Sequence, residues 1–143
     1  MERRRQRHRP IKPLVLLVDG HDDTRELYAV SLTRFGFETS TVDSGENPYQ
    51  QAWKIHPDVI VMEVSLPELD GWNFIRDVKH DPRTRDIPVV ILTSDSWTLA
   101  RERAQHEGCA AFLVKPCLPD QLASTLRDLL HQNPAQAPAP TLH

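Results

Sequence analysis

The sequence has few cysteines, few glycines and no long hydrophobic run, and each shortage excludes a class of protein. Its two cysteines, Cys109 and Cys117, lack the paired spacing of a zinc site or a disulfide framework, which fits a reducing, cytoplasmic location. No apolar run approaches the roughly 20 residues that cross a bilayer, so we expect no membrane role. The basic N-terminus precedes no apolar stretch with a cleavage site, so it is not a secretory signal.

The 143 residues have the length of one domain, and their charge is unevenly distributed. Residues 2–12 contain six Lys or Arg and one Glu, a net charge of +5, whereas the other 11 Lys or Arg and 19 Asp or Glu give −8. We expect residues 1–12 to be a flexible basic arm and the Pro/Ala-rich residues 133–143 to be a disordered tail. The folded domain is then residues 13–132, and nucleic acid is not the expected partner.

Short apolar runs alternate with helical patterns through this domain. The predicted strands are Leu14–Asp19, Phe37–Val42, Asp58–Glu63, Pro88–Thr93 and Ala110–Val114. The predicted helices span about Asp23–Phe35, Pro48–His56, Trp72–His80 and Trp97–Glu107, with a fifth from about Pro119. This alternation predicts an α/β fold with a doubly wound, five-stranded parallel sheet of order 2-1-3-4-5 and helices on both faces.

Local patterns suggest roles for several other residues. Asp23-Thr-Arg-Glu26 has the spacing of a capping box, so Asp23 is expected to cap the first helix, and Asn47 is expected to cap the second. Trp53 and Ile55 are expected to pack beneath the second helix. Trp72 opens the third helix, and Trp97 is a candidate interface residue or a packing residue. The two cysteines are best interpreted as small buried hydrophobic residues.

Four polar residues lie at the carboxyl ends of the predicted strands. Asp19, Glu63 and Thr93 end the first, third and fourth strands, and Lys115 follows the fifth. Ligands of such sheets bind outside the carboxyl ends of the strands, so we expect these four side chains to converge there. No Gly-rich loop follows a strand, and no Ser-His-Asp or Cys-His arrangement stands out, which argues against nucleotide binding and nucleophilic catalysis.

These residues belong to segments that resemble the receiver domain of two-component response regulators. The matching segments are VLLVDGHDDTRELY, PDVIVMEVSLPELDGW, DIPVVILTS and GCAAFLVKP, and the resemblance covers Leu14–Leu130. It implies a flavodoxin-like (βα)5 fold and a cytoplasmic, non-enzymatic module of phosphorelay signal transduction. It also implies a histidine kinase or downstream effector as partner, bound through the face of the fourth helix, fifth strand and fifth helix. A homodimer is an alternative.

The chain departs from the family pattern at two positions. The family has an acidic pair after the first strand, whereas here Asp19 is followed by Gly20. The family has a phosphoacceptor aspartate after the third strand, whereas here that position is Glu63. Thr93 and Lys115 match their family positions, as do Leu66-Pro67 and Asp70-Gly71, and Phe112 stands at the position of the switch aromatic.

The departures affect the Mg²⁺ site that the resemblance implies. The remaining ligands would be Asp19, Glu63 and the backbone carbonyl of Ser65. Mg²⁺ requires near-octahedral oxygens at ~2.0–2.1 Å, and Gly20 removes one carboxylate while Glu63 is one methylene longer than aspartate. We therefore expect no resident cofactor, Mg²⁺ binding that is weak at best, and no active catalytic residue. Asp22 is a less favoured substitute ligand that would act through water.

Several interpretations remain open at this point. Glu63 either imitates the phosphorylated state, drawing Thr93 inward so that Phe112 follows, or forms a static salt bridge with Lys115. The favoured function is a stand-alone, atypical receiver (a pseudo-receiver) that acts by protein–protein interaction. The alternatives are a phosphorylatable single-domain regulator and a nucleic-acid adaptor that uses the basic arm.

Overall fold

The computed structural model describes residues 12–42, 47–66, 69–94 and 98–131, which form a parallel sheet covered by helices. The strands are β1 (Leu14–Val18), β2 (Glu38–Val42), β3 (Val59–Met62), β4 (Val89–Thr93) and β5 (Ala111–Val114). They are parallel throughout and lie in the order β2-β1-β3-β4-β5. The predicted fold class and the predicted strand order are therefore confirmed.

Five helices connect and cover the strands. They are α1 (Asp22–Arg34), α2 (Pro48–Ile55), α3 (Gly71–His80), α4 (Thr98–His106) and α5 (Pro119–His131). Buried residues of α1 and α5 pack with Leu17, Val61 and Leu92 on one face of the sheet. Buried residues of α2, α3 and α4 pack with Leu16, Met62 and Ile91 on the other face. Because successive side chains of a strand point to opposite faces, burial of both faces explains the uninterrupted apolar runs.

The start of α1 differs from the sequence prediction. The helix begins at Asp22, its N-cap residue is His21, and that side chain makes no capping hydrogen bond. The prediction that Asp23 caps the helix is therefore wrong, since Asp23 lies in the first turn. The physical reason is the preceding loop, where the backbone N–H of His21 donates to Asp19 Oδ1 (2.9 Å) and turns the chain early. The acidic side chains of Asp22 and Asp23 in the first turn still interact favourably with the positive end of the helix dipole.

The loop between β3 and α3 contains a hairpin that the sequence did not indicate. Ser65–Leu66 and Leu69–Asp70 pair as two short antiparallel strands. Gly71 then begins α3 in close contact with the backbone beyond β3. A Cβ atom at position 71 would lie 2.7 Å from Val64 Cα and 2.9 Å from Val64 O. Only glycine fits this approach, which brings α3 against the residue that follows Glu63.

The predicted burial of Trp53 is wrong. Its side chain is 44% exposed, and the guanidinium of Arg83 lies 4.7 Å from the centre of its ring. The eight-residue α2 buries Pro48 and Ala52, and Trp53 follows Ala52 by one position, which rotates it about 100° away from the core. Ile55 does pack against the core, and Asn47 caps the helix by accepting a hydrogen bond from Gln50 N (3.1 Å).

Several sequence predictions fall outside the described residues. They concern the basic arm before Lys12, the tail at 133–143, Trp97, and Pro67 in the loop after β3. Within the described ranges, no helix has both the length and the apolar character needed to cross a membrane. Cys117 is buried and Cys109 is half-buried.

Candidate functional site

Four polar residues predicted from the sequence lie where the strands end at the carboxyl edge of the sheet. Asp19 and Glu63 directly follow β1 and β3, Thr93 is the last residue of β4, and Lys115 directly follows β5. Asp19 and Glu63 are each only 2% exposed, and Thr93 is fully buried. The backbone N–H of Lys115 donates to Thr93 O (2.7 Å), which ties the lysine to the end of β4. The parallel topology thus brings these residues to one edge.

Lys115 lies between the two acidic side chains. Its ammonium donates to Asp19 Oδ2 at 2.7 Å, and it lies 3.2 Å from Glu63 Oε1. Burial by itself would lower the pKa of Lys115, but the hydrogen bond and charge of Asp19, together with the charge of Glu63, outweigh burial and raise it. The lysine therefore stays charged at neutral pH and neutralises much of the acidic edge.

One carboxylate oxygen of Glu63 accepts a hydrogen bond, and the other makes an ion pair. Oε2 accepts a hydrogen bond from Ser65 N (3.1 Å), while Oε1 makes the ionic contact with Lys115. That contact does not have the direction of a hydrogen bond, so Oε1 is a buried acceptor without a hydrogen-bond partner among the described residues. A buried acceptor left in this way costs stability, and the nearby positive charge offsets part of the cost.

Asp19 is held by partners that the sequence analysis did not assign. Oδ1 accepts from His21 N and lies 3.1 Å from His21 Nδ1, and the carbonyl oxygen of Asp19 accepts from Arg25 Nη1 (2.6 Å). Arg25 also binds Asp22 Oδ1 at 2.7 Å, and the Asp22 side chain is 79% exposed. Asp22 is therefore paired at the surface. The signal in the sequence for these contacts is that His21, the N-cap of α1, and Arg25, in its first turn, follow Asp19 closely.

The donor set at this edge has one carboxylate fewer than the family pattern supplies for Mg²⁺. Gly20 provides no side-chain oxygen, and the carboxylates of Asp19 and Glu63 are both directed to Lys115. Mg²⁺ takes about six oxygen ligands in octahedral geometry, part of them from water. The ammonium group of Lys115 lies between the two carboxylates. Within the described ranges, no group of three or more His, Cys, Asp or Glu side chains is arranged to hold a metal ion.

Phe112, at the switch-aromatic position, is held by a contact that the sequence did not predict. It is half-buried and packs against the core on the side of α2, α3 and α4. The guanidinium of Arg101 on α4 lies 4.7 Å from the centre of its ring, at the distance of a cation–π interaction. Arg101 therefore links α4 to β5 through the aromatic ring.

The two cysteines lack the environment of a reactive thiol. Burial raises the pKa of the Cys109 thiol to about 11, and burial together with the charge of Asp120 raises that of Cys117. Both are therefore protonated at neutral pH, whereas the thiolate is the reactive form.

Comparison with known proteins supports a single family. The family model of the response regulator receiver domain matches residues 15–127. Response regulator Rre1 of Synechocystis is 30% identical over 126 residues, which covers 87% of this chain and 54% of that protein. This chain therefore spans about half the length of that relative. The polar-differentiation response regulator DivK of Brucella ovis is 29% identical over 116 residues, covering 81% of this chain and 94% of DivK.

Solved structures give the same result. A putative response regulator from Chloroflexus aurantiacus superposes with a TM-score of 0.77 at 29% identity, covering 83% of this chain and 98% of that one. Chemotaxis protein CheY4 of Vibrio cholerae superposes with a TM-score of 0.75 at 28% identity, covering 82% and 98%. The family match spans most of the folded residues, and the strand order agrees with it. This chain belongs to the response regulator receiver domain family.

Proposed function

We propose that this chain is an atypical receiver domain that signals by protein–protein contact and is not phosphorylated in the usual way. Receiver domains are signalling modules rather than enzymes, and they normally bind Mg²⁺ weakly at the phosphorylation site. The observation that carries the proposal is the position of Lys115 between Asp19 and Glu63, at 2.7 Å and 3.2 Å, with Gly20 in place of the second acid.

Two features of the site argue against phosphoryl transfer. The reaction needs in-line geometry and a metal ion that bridges the attacked phosphoryl group to the protein. Gly20 removes one metal ligand, and the extra methylene of Glu63 displaces the acceptor oxygens. A misplacement of about 1 Å costs roughly 10²-fold in rate, and the lost ligand adds to this.

The ion pair between Glu63 and Lys115 is the salt bridge that the sequence offered as one of two roles for Glu63. A carboxylate against an ammonium in a nearly dry site is a strong, charge-assisted interaction. In this proposal the salt bridge holds the domain in one conformation whatever a kinase does. The signal passes to a histidine kinase or an effector through the face of α4, β5 and α5, where Leu99 is 70% exposed and Arg101 contacts Phe112. The folded unit in this proposal is residues 13–132.

Treatment with a small acyl phosphate and Mg²⁺, followed by intact mass measurement, tests the proposal. A receiver with the complete acidic pair and an acceptor aspartate serves as the positive control. We expect the control to gain the mass of one phosphoryl group and this chain to gain none. Acid-labile labelling of this chain at Glu63 would contradict the proposal and support a phosphorylatable regulator instead.

A further inference from the structure

A cluster of aromatic and cationic side chains lies on the surface, away from the site described above. Tyr49 and Trp53 project from α2, and Arg83 belongs to the loop between α3 and β4. This loop precedes β4, so the cluster lies towards the amino edge of the sheet, whereas Glu63 and Lys115 lie at the carboxyl edge. Trp, Tyr and Arg are the residue types most enriched where binding energy concentrates in protein interfaces.

Asp81 holds this cluster in place. Its carboxylate accepts hydrogen bonds from the Tyr49 hydroxyl, from Arg83 Nε (3.1 Å) and Nη2 (2.8 Å), and from Arg83 N (2.8 Å). These bonds, those of the Arg83 side chain first, hold the pKa of Asp81 well below its ordinary value. With Asp81 on one side, Arg83 stacks over Trp53 at 4.7 Å. The exposed indole is thus ordered in advance, which lowers the entropic cost of binding.

The cluster lines an open cleft whose free groups are mostly donors. The cleft has a volume of about 350 Å³ and is lined by Tyr49, Gln50, Trp53, Lys54 and Arg83. The charge of Arg83 is balanced by Asp81, whereas Lys54 has no ion pair among the described residues. Within the same part of the chain, the Trp53 indole N–H has no hydrogen-bond acceptor, whereas Arg83 donates to Asp81 and to the Tyr49 hydroxyl. A complementary ligand must supply acceptors, negative charge and a flat apolar group.

We propose that this cleft binds an acidic segment of a partner protein, which places an apolar side chain against Trp53 and a carboxylate at Lys54. The volume suits one or two side chains rather than a folded element. Lys54 lines the same cleft as Trp53, so a segment that alternates acidic and aromatic residues can contact the ring and the lysine together. The interaction is independent of the acidic edge and therefore of any phosphorylation.

Heteronuclear NMR of the full chain, titrated with synthetic peptides, tests this inference. The probe is a short peptide of glutamates around one phenylalanine, and its two controls carry glutamine for glutamate or alanine for phenylalanine. We expect the probe to shift the amides of residues 49–54 and 81–85, and each control to bind more weakly. Lys54→Glu and Trp53→Ala should each lower the affinity for the probe peptide by about tenfold. Arg34→Glu makes the same charge change on α1 and should leave the affinity unchanged.

Residues 2–12 have a net charge of +5 and are a competing site for the acidic probe, and the positions of the shifted amides distinguish the two sites. Shifts confined to the arm or to the α4–β5–α5 face would overturn the inference, as would equal binding of the glutamine peptide. Unchanged affinity in Lys54→Glu would overturn it as well. Because Trp53→Ala alters packing under Arg83, Trp53→Phe serves as a second variant that keeps a ring and should retain most of the affinity.

Discussion

At the scale of single residues, Lys115 controls the charge balance of the acidic edge. Its side chain is 14% exposed, and it contacts Asp19 and Glu63, which are almost fully buried. Removing one partner from a buried ion pair is costly because a charge is left without compensation. Loss of the Lys115 side chain would leave the carboxylates of Asp19 and Glu63 facing each other without a cation between them.

The first prediction concerns the substitution Lys115→Ala. It should lower the free energy of unfolding by about 3 kcal/mol at pH 7, because Asp19 and Glu63 then repel each other. Urea unfolding at pH 7 measures the effect, and adding Glu63→Gln should restore part of the stability because it removes one of the two facing charges. An unchanged melting temperature at pH 7 would mean that the lysine does not stabilise the pair.

The second prediction concerns alkaline pH. The folded-state pKa of Lys115 is raised above the unfolded value of about 10.4, so its stabilising effect is complete below that value. The effect is lost as the pH rises through the folded-state pKa. Wild type should therefore lose its advantage over Lys115→Met above about pH 10. Burial also raises the pKa of Tyr28, but both proteins contain it, so the difference between their thermal unfolding curves isolates the lysine. A constant difference up to the highest pH would contradict this assignment.

The third prediction compares two glycines. Gly71→Ala should be strongly destabilising, by about 3 kcal/mol, because its Cβ would lie 2.7 Å from a backbone atom of Val64. Gly36 has φ of +98° but open space around it, so Gly36→Ala should cost only about 1–2 kcal/mol of conformational strain. Chemical denaturation of the two variants gives the comparison. Equal losses would show that the loop after Glu63 can shift to admit a side chain.

At the scale of secondary-structure elements, strands were predicted more accurately than helix ends and loops. Each predicted strand includes the observed one, and the three central strands β1, β3 and β4, which are buried on both faces, have continuous apolar runs. The predicted start of α1 is wrong because another local contact, from His21 N to the Asp19 carboxylate, outweighs the capping-box pattern. The exposure of Trp53 was missed because α2 is too short for its buried face to be recognised from so few apolar positions.

The fourth prediction concerns the coupling between the site and its output face. If Glu63 holds the signalling conformation, Glu63→Gln keeps its size, removes its charge and should weaken partner binding or self-association by about fivefold or more. Thr93→Ala should cause a similar loss, and the double variant should be no worse, since both residues act on one element with Phe112. Sedimentation or a pull-down with the partner measures this. Wild-type behaviour of Glu63→Gln would leave Glu63 as an inactive remnant.

At the scale of the whole molecule, topology was predictable and the state of the site was not. The order of strands follows from the alternation of elements, and it places Asp19, Glu63, Thr93 and Lys115 at one edge. The sequence indicated a Glu63–Lys115 salt bridge only as one of two alternatives, because the choice depends on distances of a few ångströms that residue identity does not determine. The contact of Arg101 with the ring of Phe112 was likewise not predictable from the sequence, because a cation–π contact has no local sequence pattern.

The most direct test of the account is a Mg²⁺ titration of wild type and of the double variant Gly20→Asp/Glu63→Asp, followed by amide NMR shifts. The variant regains the second carboxylate and the shorter acceptor side chain, so its amides around residues 19–21 and 63–65 should shift and saturate at millimolar Mg²⁺. Wild type should show no saturable change at these amides. Saturation of wild type at the same concentration, or a double variant that stays inert, would contradict the claim that Gly20 and Glu63 disable the site.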